Sequence, residues 1–209
     1  MKNKSNLVAA KVHPQVLPSS ASCYFSSKQE TFTIWMKSLV LGGKGCTVFD
    51  AKGQIVYRVD NYSCKCKDEV YLMDFKGKVI FTMLRKRFKL FRFWEGYRST
   101  ATEIDSKKPG FQVRQTLRIQ RGHSPCQVTV GLDENQPRHY KIQSWGSSSK
   151  SACKIVDQFG VLVAELKRKK AACGVDLGND VLTMVVEPSI DHSLIMGVFV
   201  VYSLINYKM

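Results

Sequence analysis

The chain has 209 residues, 44% of them hydrophobic, which excludes wholesale disorder and predicts a globular domain with one core. It carries 32 lysines and arginines against 17 acidic residues, a formal net charge of +15 at pH 7. Such a charge attracts polyanions, namely nucleic acid, anionic lipid headgroups or acidic proteins, but it is equally consistent with a role in solubility alone.

The N-terminal part differs in composition from the rest. Its first ten residues contain no apolar core segment of the kind that a secretory signal needs, and a serine-rich stretch with Pro14 and Pro18 follows. We therefore predict a flexible or irregular segment over residues 1–29 and one domain over residues 30–209.

Three segments, residues 46–57, 70–81 and 153–164, repeat one pattern. Each has an apolar run, an aspartate, two further residues, a glycine and a second apolar run. The aspartate side chain can accept hydrogen bonds from backbone N–H groups of a tight turn, and the glycine supplies the positive φ that closes it. The pattern predicts three β-hairpins. Their turn residues are Asp50 and Gly53, Asp74 and Gly77, and Asp157 and Gly160.

Other short segments rich in β-branched and aromatic residues are separated by turn residues at intervals of about ten residues. They cover residues 31–36, 88–93, 116–120, 127–132, 139–143 and 181–186. This spacing is typical of a sandwich or a barrel, and amphipathic helix periodicity is absent from most of the chain. The sequence therefore predicts a mainly β body.

The C-terminal segment, residues 194–205, is apolar except for Gly197 and Ser203, and Pro188 and Asp191 before it are typical helix-start residues. A membrane-spanning helix needs about 20 apolar residues, so this segment is too short to cross a bilayer. A helix that is apolar all round has to be surrounded by protein, although a long strand is the alternative. We predict a central helix inside a wide barrel. Its core-forming residues are Leu194, Ile195, Val198, Phe199, Val201, Tyr202 and Ile205.

The seven cysteines form no Cys-x-x-Cys pair and no zinc-ligand spacing, which favours reduced thiols in the cytoplasm or nucleus and no bound metal. The glycine-rich residues 42–45 lack the Gly-Lys-Ser/Thr ending of a phosphate loop and are interpreted as a turn. No Gly-x-Ser-x-Gly motif occurs, and His192 is interpreted as a helix-start residue and not as a base. The sequence predicts neither a cofactor nor catalysis.

Residues 76–98 contain eight cations, one acid and several interleaved aromatic residues. Lysine and arginine side chains bind phosphate groups, and aromatic side chains are enriched at the headgroup level of a membrane. One interpretation of this segment is therefore a site for anionic lipid. The alternative is a pair of ordinary strands whose cations face water. A second basic run follows the third hairpin, where it is either part of the same site, a nuclear import signal or a solvated loop. The candidate anion-binding residues are Arg85, Lys86, Arg87, Lys89, Arg92, Lys167, Arg168, Lys169 and Lys170.

The chain resembles the plant LURP-one-related family in four features. They are the hairpin motifs, residues 91–94, Trp145-Gly146 with Cys153 after it, and the ending Pro188-Ser-Ile-Asp191 before the apolar segment. The resemblance covers residues 31–206. It implies a twelve-stranded closed antiparallel β-barrel around a hydrophobic C-terminal helix, similar to the C-terminal domain of Tubby proteins and to phospholipid scramblases. Relatives with this fold bind phosphoinositides or are proposed as membrane-tethered transcription regulators, and founding plant members are linked to pathogen defence.

Charge and resemblance together predict a monomeric, non-enzymatic binding or tethering module for phosphoinositide or other anionic lipid. We expect a cytoplasmic protein without a transmembrane helix, with peripheral contact at the plasma membrane or a nuclear location. Two alternatives stay open: a nucleic-acid-binding or membrane-tethered transcription regulator, and a scramblase-like protein that moves lipids.

Overall fold

A computed structural model describes residues 24–39, 44–61, 68–88, 91–99, 108–116, 125–132, 135–144 and 152–206. Most of the predicted N-terminal segment lies outside these ranges. Within them the chain forms twelve strands followed by one helix. The strands are β1 (Glu30–Trp35), β2 (Lys44–Phe49), β3 (Ile55–Asn61), β4 (Glu69–Asp74), β5 (Val79–Phe88), β6 (Phe91–Arg98), β7 (Phe111–Gln115), β8 (Cys126–Val130), β9 (Arg138–Ser144), β10 (Cys153–Asp157), β11 (Leu162–Arg168) and β12 (Val181–Val186), and the helix is α1 (His192–Asn206).

The strands form one closed antiparallel barrel in which each strand pairs with its neighbours in the chain. The barrel closes where β1 pairs with both β2 and β12, with Ile34 opposite Val48 on one side and Leu182 on the other. This confirms the predicted barrel. Because successive strands alternate in direction, β12 ends and α1 begins at one end of the barrel, here called the proximal end. The opposite end, where β11 ends and β12 begins, is called the distal end.

The three Asp-x-x-Gly segments form three hairpins of the same geometry at the proximal end. In the first, the Asp50 carboxylate accepts hydrogen bonds from the backbone N–H groups of Lys52 and Gln54, both at 2.8 Å. Asp74 and Asp157 accept the equivalent pairs at 2.8 to 2.9 Å. The glycines have φ values of 78°, 85° and 86°, and each hairpin contains a register shift next to its turn. The local pattern alone therefore specifies these turns.

Helix α1 fills the barrel. Residues 192–203 of this helix are buried, and Leu204 and Ile205 pack against the core at its end. The inward faces of the strands supply the apolar surroundings that a helix without a polar face requires. This confirms the predicted central helix and excludes the alternative of a long C-terminal strand. Among the described residues, no helix is both long enough and apolar enough to cross a membrane.

One of the strands predicted from local composition differs from the structure, and another lies largely outside the described residues. Residues 88–93 are not one strand: β5 continues to Phe88, β6 begins at Phe91, and these two residues pair with each other. The strand predicted at residues 116–120 lies outside the described residues except for Thr116, which follows the observed β7. Strand β7 was missed because its sequence, Phe-Gln-Val-Arg-Gln, has only two apolar residues, Phe111 and Val113, and their role appears only when the barrel buries them.

Candidate functional site

The topology carries both predicted basic groups to the distal end of the barrel. Strands β5 and β11 both run toward that end, so Arg85, Lys86 and Arg87 lie at the end of one and Lys167 and Arg168 at the end of the other. The two strands are six positions apart in a barrel of twelve. At about 4.8 Å per strand the two groups are roughly 29 Å apart along the wall. They share a rim but do not form one continuous patch.

The β5 basic group is divided between the two faces of the strand. Arg85 and Arg87 are on the same side as the buried Met83, and both form ion pairs with Asp68, at 3.5 and 3.7 Å. Lys86 is on the outer face, with its ammonium 5.9 Å from the centroid of the Tyr97 ring. The group therefore combines two arginines that share one acid with a lysine on the opposite face. Lys89 and the side chain of Arg92 lie outside the part of the chain that the structure describes.

The β11 basic group continues into the connection between β11 and β12. Lys167 pairs with Glu165 at 2.6 Å, and Arg168 pairs with Asp176 at 3.5 Å. Lys169 Nζ donates to the hydroxyl of Thr33 at 2.6 Å, and Lys170 is exposed. Lys169 and Lys170 form no ion pair with an acid among the described residues, so their charges are the least compensated of the group.

Apolar side chains are exposed beside the β11 basic group. One of them belongs to the end of β1. The others belong to two distal connections, the one between β1 and β2 and the one between β11 and β12. We call them the distal apolar rim: Trp35 (36% exposed), Leu39 (46%), Val175 (64%) and Leu177 (51%). Lys37 lies over the Trp35 ring, 5.3 Å from its centroid, and pairs with Asp180 at 3.5 Å. The sequence analysis missed this rim because its members come from separate segments.

At the proximal end, Asp191 caps α1 and connects the helix to the wall. One carboxylate oxygen accepts hydrogen bonds from the backbone N–H groups of Ser193 and Leu194, at 2.9 and 3.1 Å. The other oxygen forms an ion pair with Arg98 of β6, whose guanidinium also donates to the Ser193 hydroxyl at 3.3 Å. The aspartate of the Pro-x-Ile-Asp ending thus caps the N-terminus of α1 and also links the helix to β6.

His192 is the first residue of α1 and is buried. Its Nδ1 shares a 2.6 Å hydrogen bond with the Tyr57 hydroxyl, and its Nε2 lies 3.4 Å from a carboxylate oxygen of Glu30. The rings of Tyr24 and Phe32 pack around it. These contacts make His192 part of the packing that closes the proximal end, in keeping with its interpretation as a helix-start residue.

A cleft of about 310 Å³ lies at the proximal end, between the start of α1 and the described residues Gly110 and Gly131. It contains two guanidinium groups, those of Arg98 and Arg138, above a mainly apolar floor. The sequence analysis missed this cleft because its lining comes from seven separate stretches of chain. We call it the proximal cleft.

Three of the cysteines, Cys46, Cys126 and Cys153, are buried free thiols. Burial is the largest cause that raises the pKa of each to about 12, with a smaller contribution from Asp60 for Cys46 and from Cys126 for Cys153. They are therefore protonated at neutral pH and are poor nucleophiles. Within the described residues no group of three His, Cys, Asp or Glu side chains is placed to hold a metal ion, and Cys23, Cys64 and Cys66 lie outside that part of the chain.

Comparison with known proteins places this barrel in a family. The LURP-one-related family profile matches residues 30–203. The Arabidopsis thaliana proteins LURP-one-related 11 and LURP-one-related 3 are 46% and 45% identical to the chain, over 94% and 95% of it and 88% and 87% of their own lengths. An X-ray structure of an Arabidopsis thaliana protein matches with a TM-score of 0.61 at 18% identity, covering 88% of this chain and 95% of that one, which shows the shared fold. The chain belongs to the LURP-one-related family.

Proposed function

We propose that this LURP-one-related protein is a non-catalytic binding module that holds anionic phospholipid, phosphoinositide in particular, at the distal end of its barrel. Binding there would place the protein at the cytoplasmic surface of a membrane, the plasma membrane above all, as a tether in plant defence signalling. The observation that carries the proposal is the distal apolar rim lying beside the cations of the β11 basic group.

The distribution of charge supports the distal end as the binding face. Among the residues whose side chains the structure describes, cations outnumber acids by nine to five at the distal end and by seven to six at the proximal end. The distal cations are Lys37, Arg85, Lys86, Arg87, Arg114, Lys167, Arg168, Lys169 and Lys170, and the acids are Asp60, Asp68, Glu69, Asp176 and Asp180. The proximal cations are Lys28, Lys52, Lys76, Lys78, Arg98, Lys108 and Arg138, and the acids are Glu30, Asp50, Asp74, Asp157, Glu187 and Asp191. An anionic surface is therefore attracted more strongly to the distal end.

Apolar and cationic side chains together favour a membrane surface over nucleic acid. Leucine, valine and tryptophan side chains gain free energy by entering the headgroup region, where tryptophan is enriched, whereas a duplex backbone offers them no apolar partner. Among the described residues α1 is the one helix of two turns or more, and because it is enclosed by the barrel it cannot enter a DNA groove.

The burial of α1 also bears on the scramblase-like alternative. That alternative requires the apolar C-terminal segment to enter the bilayer. Residues 192–203 are buried inside the barrel, so their insertion would first require the helix to leave the core that it fills. A rim that rests on the membrane needs no such rearrangement.

Sedimentation with liposomes tests the proposal. Vesicles of phosphatidylcholine alone are compared with vesicles that also contain phosphatidylinositol bisphosphate or phosphatidylserine. Each lysine near an anionic surface contributes about 1 kcal/mol, and Asp180 already offsets part of the charge of Lys37. Lys37→Gln with Lys169→Gln and Lys170→Gln is therefore expected to weaken binding on the order of 30-fold or more. Val175→Asn with Leu177→Asn is expected to weaken binding on the order of 10-fold or more, because two apolar side chains no longer enter the membrane.

Matched changes at the proximal end serve as controls. Lys52→Gln with Lys76→Gln and Lys78→Gln removes the same charge, and Phe159→Asn with Val161→Asn removes exposed apolar area. Both control variants are expected to bind as the unchanged protein does. Equal losses in the distal and proximal variants would show that only net charge matters, and the proposal would fail.

A second set of variants addresses the site predicted from sequence. Arg85→Gln with Lys86→Gln and Arg87→Gln is expected to weaken vesicle binding less than the change at Lys37, Lys169 and Lys170. Asp68 pairs with two of the three β5 cations, whereas an acid pairs with only one cation of the other set, Lys37. Binding to duplex DNA with a steep salt dependence, together with no preference for anionic vesicles, would favour the nucleic-acid alternative instead.

A further inference from the structure

Two neighbouring hairpins at the proximal end carry the same basic turn. The turns between β2 and β3 and between β4 and β5 both have the sequence Asp-x-Lys-Gly, which places Lys52 and Lys76 at equivalent positions. Strands β3 and β4 pair with each other, so the two hairpins are adjacent in the wall. Lys52, Phe75, Lys76 and Lys78 are all exposed on these hairpins, and we call them the twin-hairpin patch.

The three lysines of the twin-hairpin patch form no ion pair with an acid in the part of the chain that the structure describes. Their nearest acids along the chain are the turn residues Asp50 and Asp74. One carboxylate oxygen of each accepts hydrogen bonds from two backbone N–H groups of its own turn, at 2.8 to 2.9 Å. The aspartates therefore stabilise the turns, and the lysine ammonium groups stay available to an anionic partner.

An exposed aromatic ring lies among these charges. The Phe75 side chain is 61% exposed, and the ammonium group of Lys76 lies 5.4 Å from the centroid of its ring. A partner that carries only negative charge would leave this ring in contact with water. A partner that also carries an apolar side chain covers it and gains free energy from its burial.

The strand register sets the distance between the two turns. Tyr57 of β3 pairs with Val48 of β2 and with Asp74 of β4, so the first hairpin extends two residues farther than the second. With about 4.8 Å for each of two strand spacings and about 3.4 Å for each of two residues, the turns are roughly 12 Å apart. Three to four residues of extended chain cover this distance, at about 3.3 to 3.6 Å per residue. A short extended peptide therefore reaches both turns.

We propose that the twin-hairpin patch binds an acidic, extended segment of a partner protein. Glutamate or aspartate side chains of the segment pair with Lys52, Lys76 and Lys78, and one apolar side chain packs on Phe75. The patch is at the opposite end of the barrel from the lipid-binding face, so one molecule can hold a membrane and a partner protein together. This inference goes beyond the proposed function and does not depend on it.

Fluorescence anisotropy with a labelled peptide tests the inference. The peptide has three glutamates on each side of a leucine, and a second peptide has glutamines in place of the glutamates. The unchanged protein is expected to bind the glutamate peptide at least 10-fold more tightly than the glutamine peptide. Lys52→Gln with Lys76→Gln and Lys78→Gln should weaken binding of the glutamate peptide at least 10-fold, and Phe75→Asn should weaken it at least threefold.

Two matched variants serve as controls. Lys37→Gln with Lys169→Gln and Lys170→Gln removes the same charge from the distal end, and at about 0.15 M salt charges farther away than about 8 Å are largely screened. The third hairpin has the same turn geometry and an exposed Phe159 but no lysine, so Phe159→Asn removes an equivalent ring outside the patch. Both variants should bind the glutamate peptide within twofold of the unchanged protein.

Three results would overturn the inference: no binding of the glutamate peptide at millimolar concentration, equal losses in the proximal and distal lysine variants, or tighter binding of single-stranded oligothymidylate than of the peptide through the same lysines. Amide chemical shifts give a second measurement on the unchanged protein. Peptide addition should shift the signals of Gly53 and Gly77 and leave that of Gly160 in place, and shifts confined to the distal end contradict the inference. Because the peptide is tested without lipid, a failure here leaves the vesicle experiments unaffected.

Discussion

At the scale of single residues, one contact between helix and wall depends on two glycines on either side of the Phe111 ring. A Cβ atom on Gly96 would lie 2.1 Å from the Phe111 ring, and one on Gly197 of α1 would lie 3.2 Å from it. Phe111 is fully buried and packs edge-on against Phe81, with ring centroids 5.4 Å apart. The ring fits between strand and helix because neither glycine has a side chain.

Gly96→Ala is therefore expected to destabilise the protein by about 1–3 kcal/mol, since Phe111 has to leave its position in a packed core. Gly110→Ala, whose Cβ meets nothing closer than 3.7 Å, is the matched control and should stay within about 0.5 kcal/mol of the unchanged protein. Urea unfolding followed by tryptophan fluorescence measures both. An unchanged midpoint for Gly96→Ala would show that Phe111 has another position available.

At the scale of elements, the start of α1 is fixed both by a helix cap and by an ion pair to the wall. Asp191 accepts hydrogen bonds from two backbone N–H groups of the first helical turn and forms an ion pair with Arg98. Its side chain is 11% exposed, so both interactions are largely shielded from solvent. These two roles explain why the Pro-x-Ile-Asp ending precedes the apolar segment. The helix has to enter the barrel at one position and in one orientation.

Asp191→Ala removes both roles and is expected to cost about 2–4 kcal/mol, because the cap is lost and Arg98 is left without its acid. Asp191→Asn keeps an oxygen that can accept the capping hydrogen bonds, so its cost should be smaller by about 1 kcal/mol or more. The pair of the half-buried Arg168 and the exposed Asp176 is the control, and Asp176→Ala should cost less than about 1 kcal/mol. Thermal unfolding by circular dichroism compares the three variants, and equal costs for Asp191→Ala and Asp176→Ala would contradict the capping role.

At the scale of the whole molecule, barrel and helix are one folding unit. The inward side chains of the strands and the apolar residues of α1 from Leu194 to Tyr202 belong to the same core cluster. A twelve-stranded barrel without the helix would enclose a large apolar space that its own side chains do not fill. The helix therefore supplies the interior of the protein.

A chain that ends at Ile190 is expected not to fold, and a chain that ends at Asn206 and keeps all of α1 is expected to fold as the full chain does. Near-ultraviolet circular dichroism and size-exclusion chromatography distinguish the two outcomes. A compact, cooperatively unfolding protein that ends at Ile190 would show that the strands can close on a core of their own.

The sequence by itself determined the elements whose signals are local. The Asp-x-x-Gly hairpins are set by hydrogen bonds within five residues, and the central helix follows from an apolar segment without a polar face, too short to span a bilayer. The barrel followed from these signals and from the family resemblance. The basic residues of β5 and β11 were also visible in the sequence.

Only the tertiary structure decided which of these residues meet. It placed the two basic groups on opposite sides of one rim, divided Arg85 and Arg87 from Lys86 across the faces of β5, and brought Trp35 and Leu177 beside Lys169. It also assembled the proximal cleft and the space around Phe111. The physical reason is that a strand's neighbours and the side that it turns inward depend on closure of the barrel, which joins residues far apart in the chain.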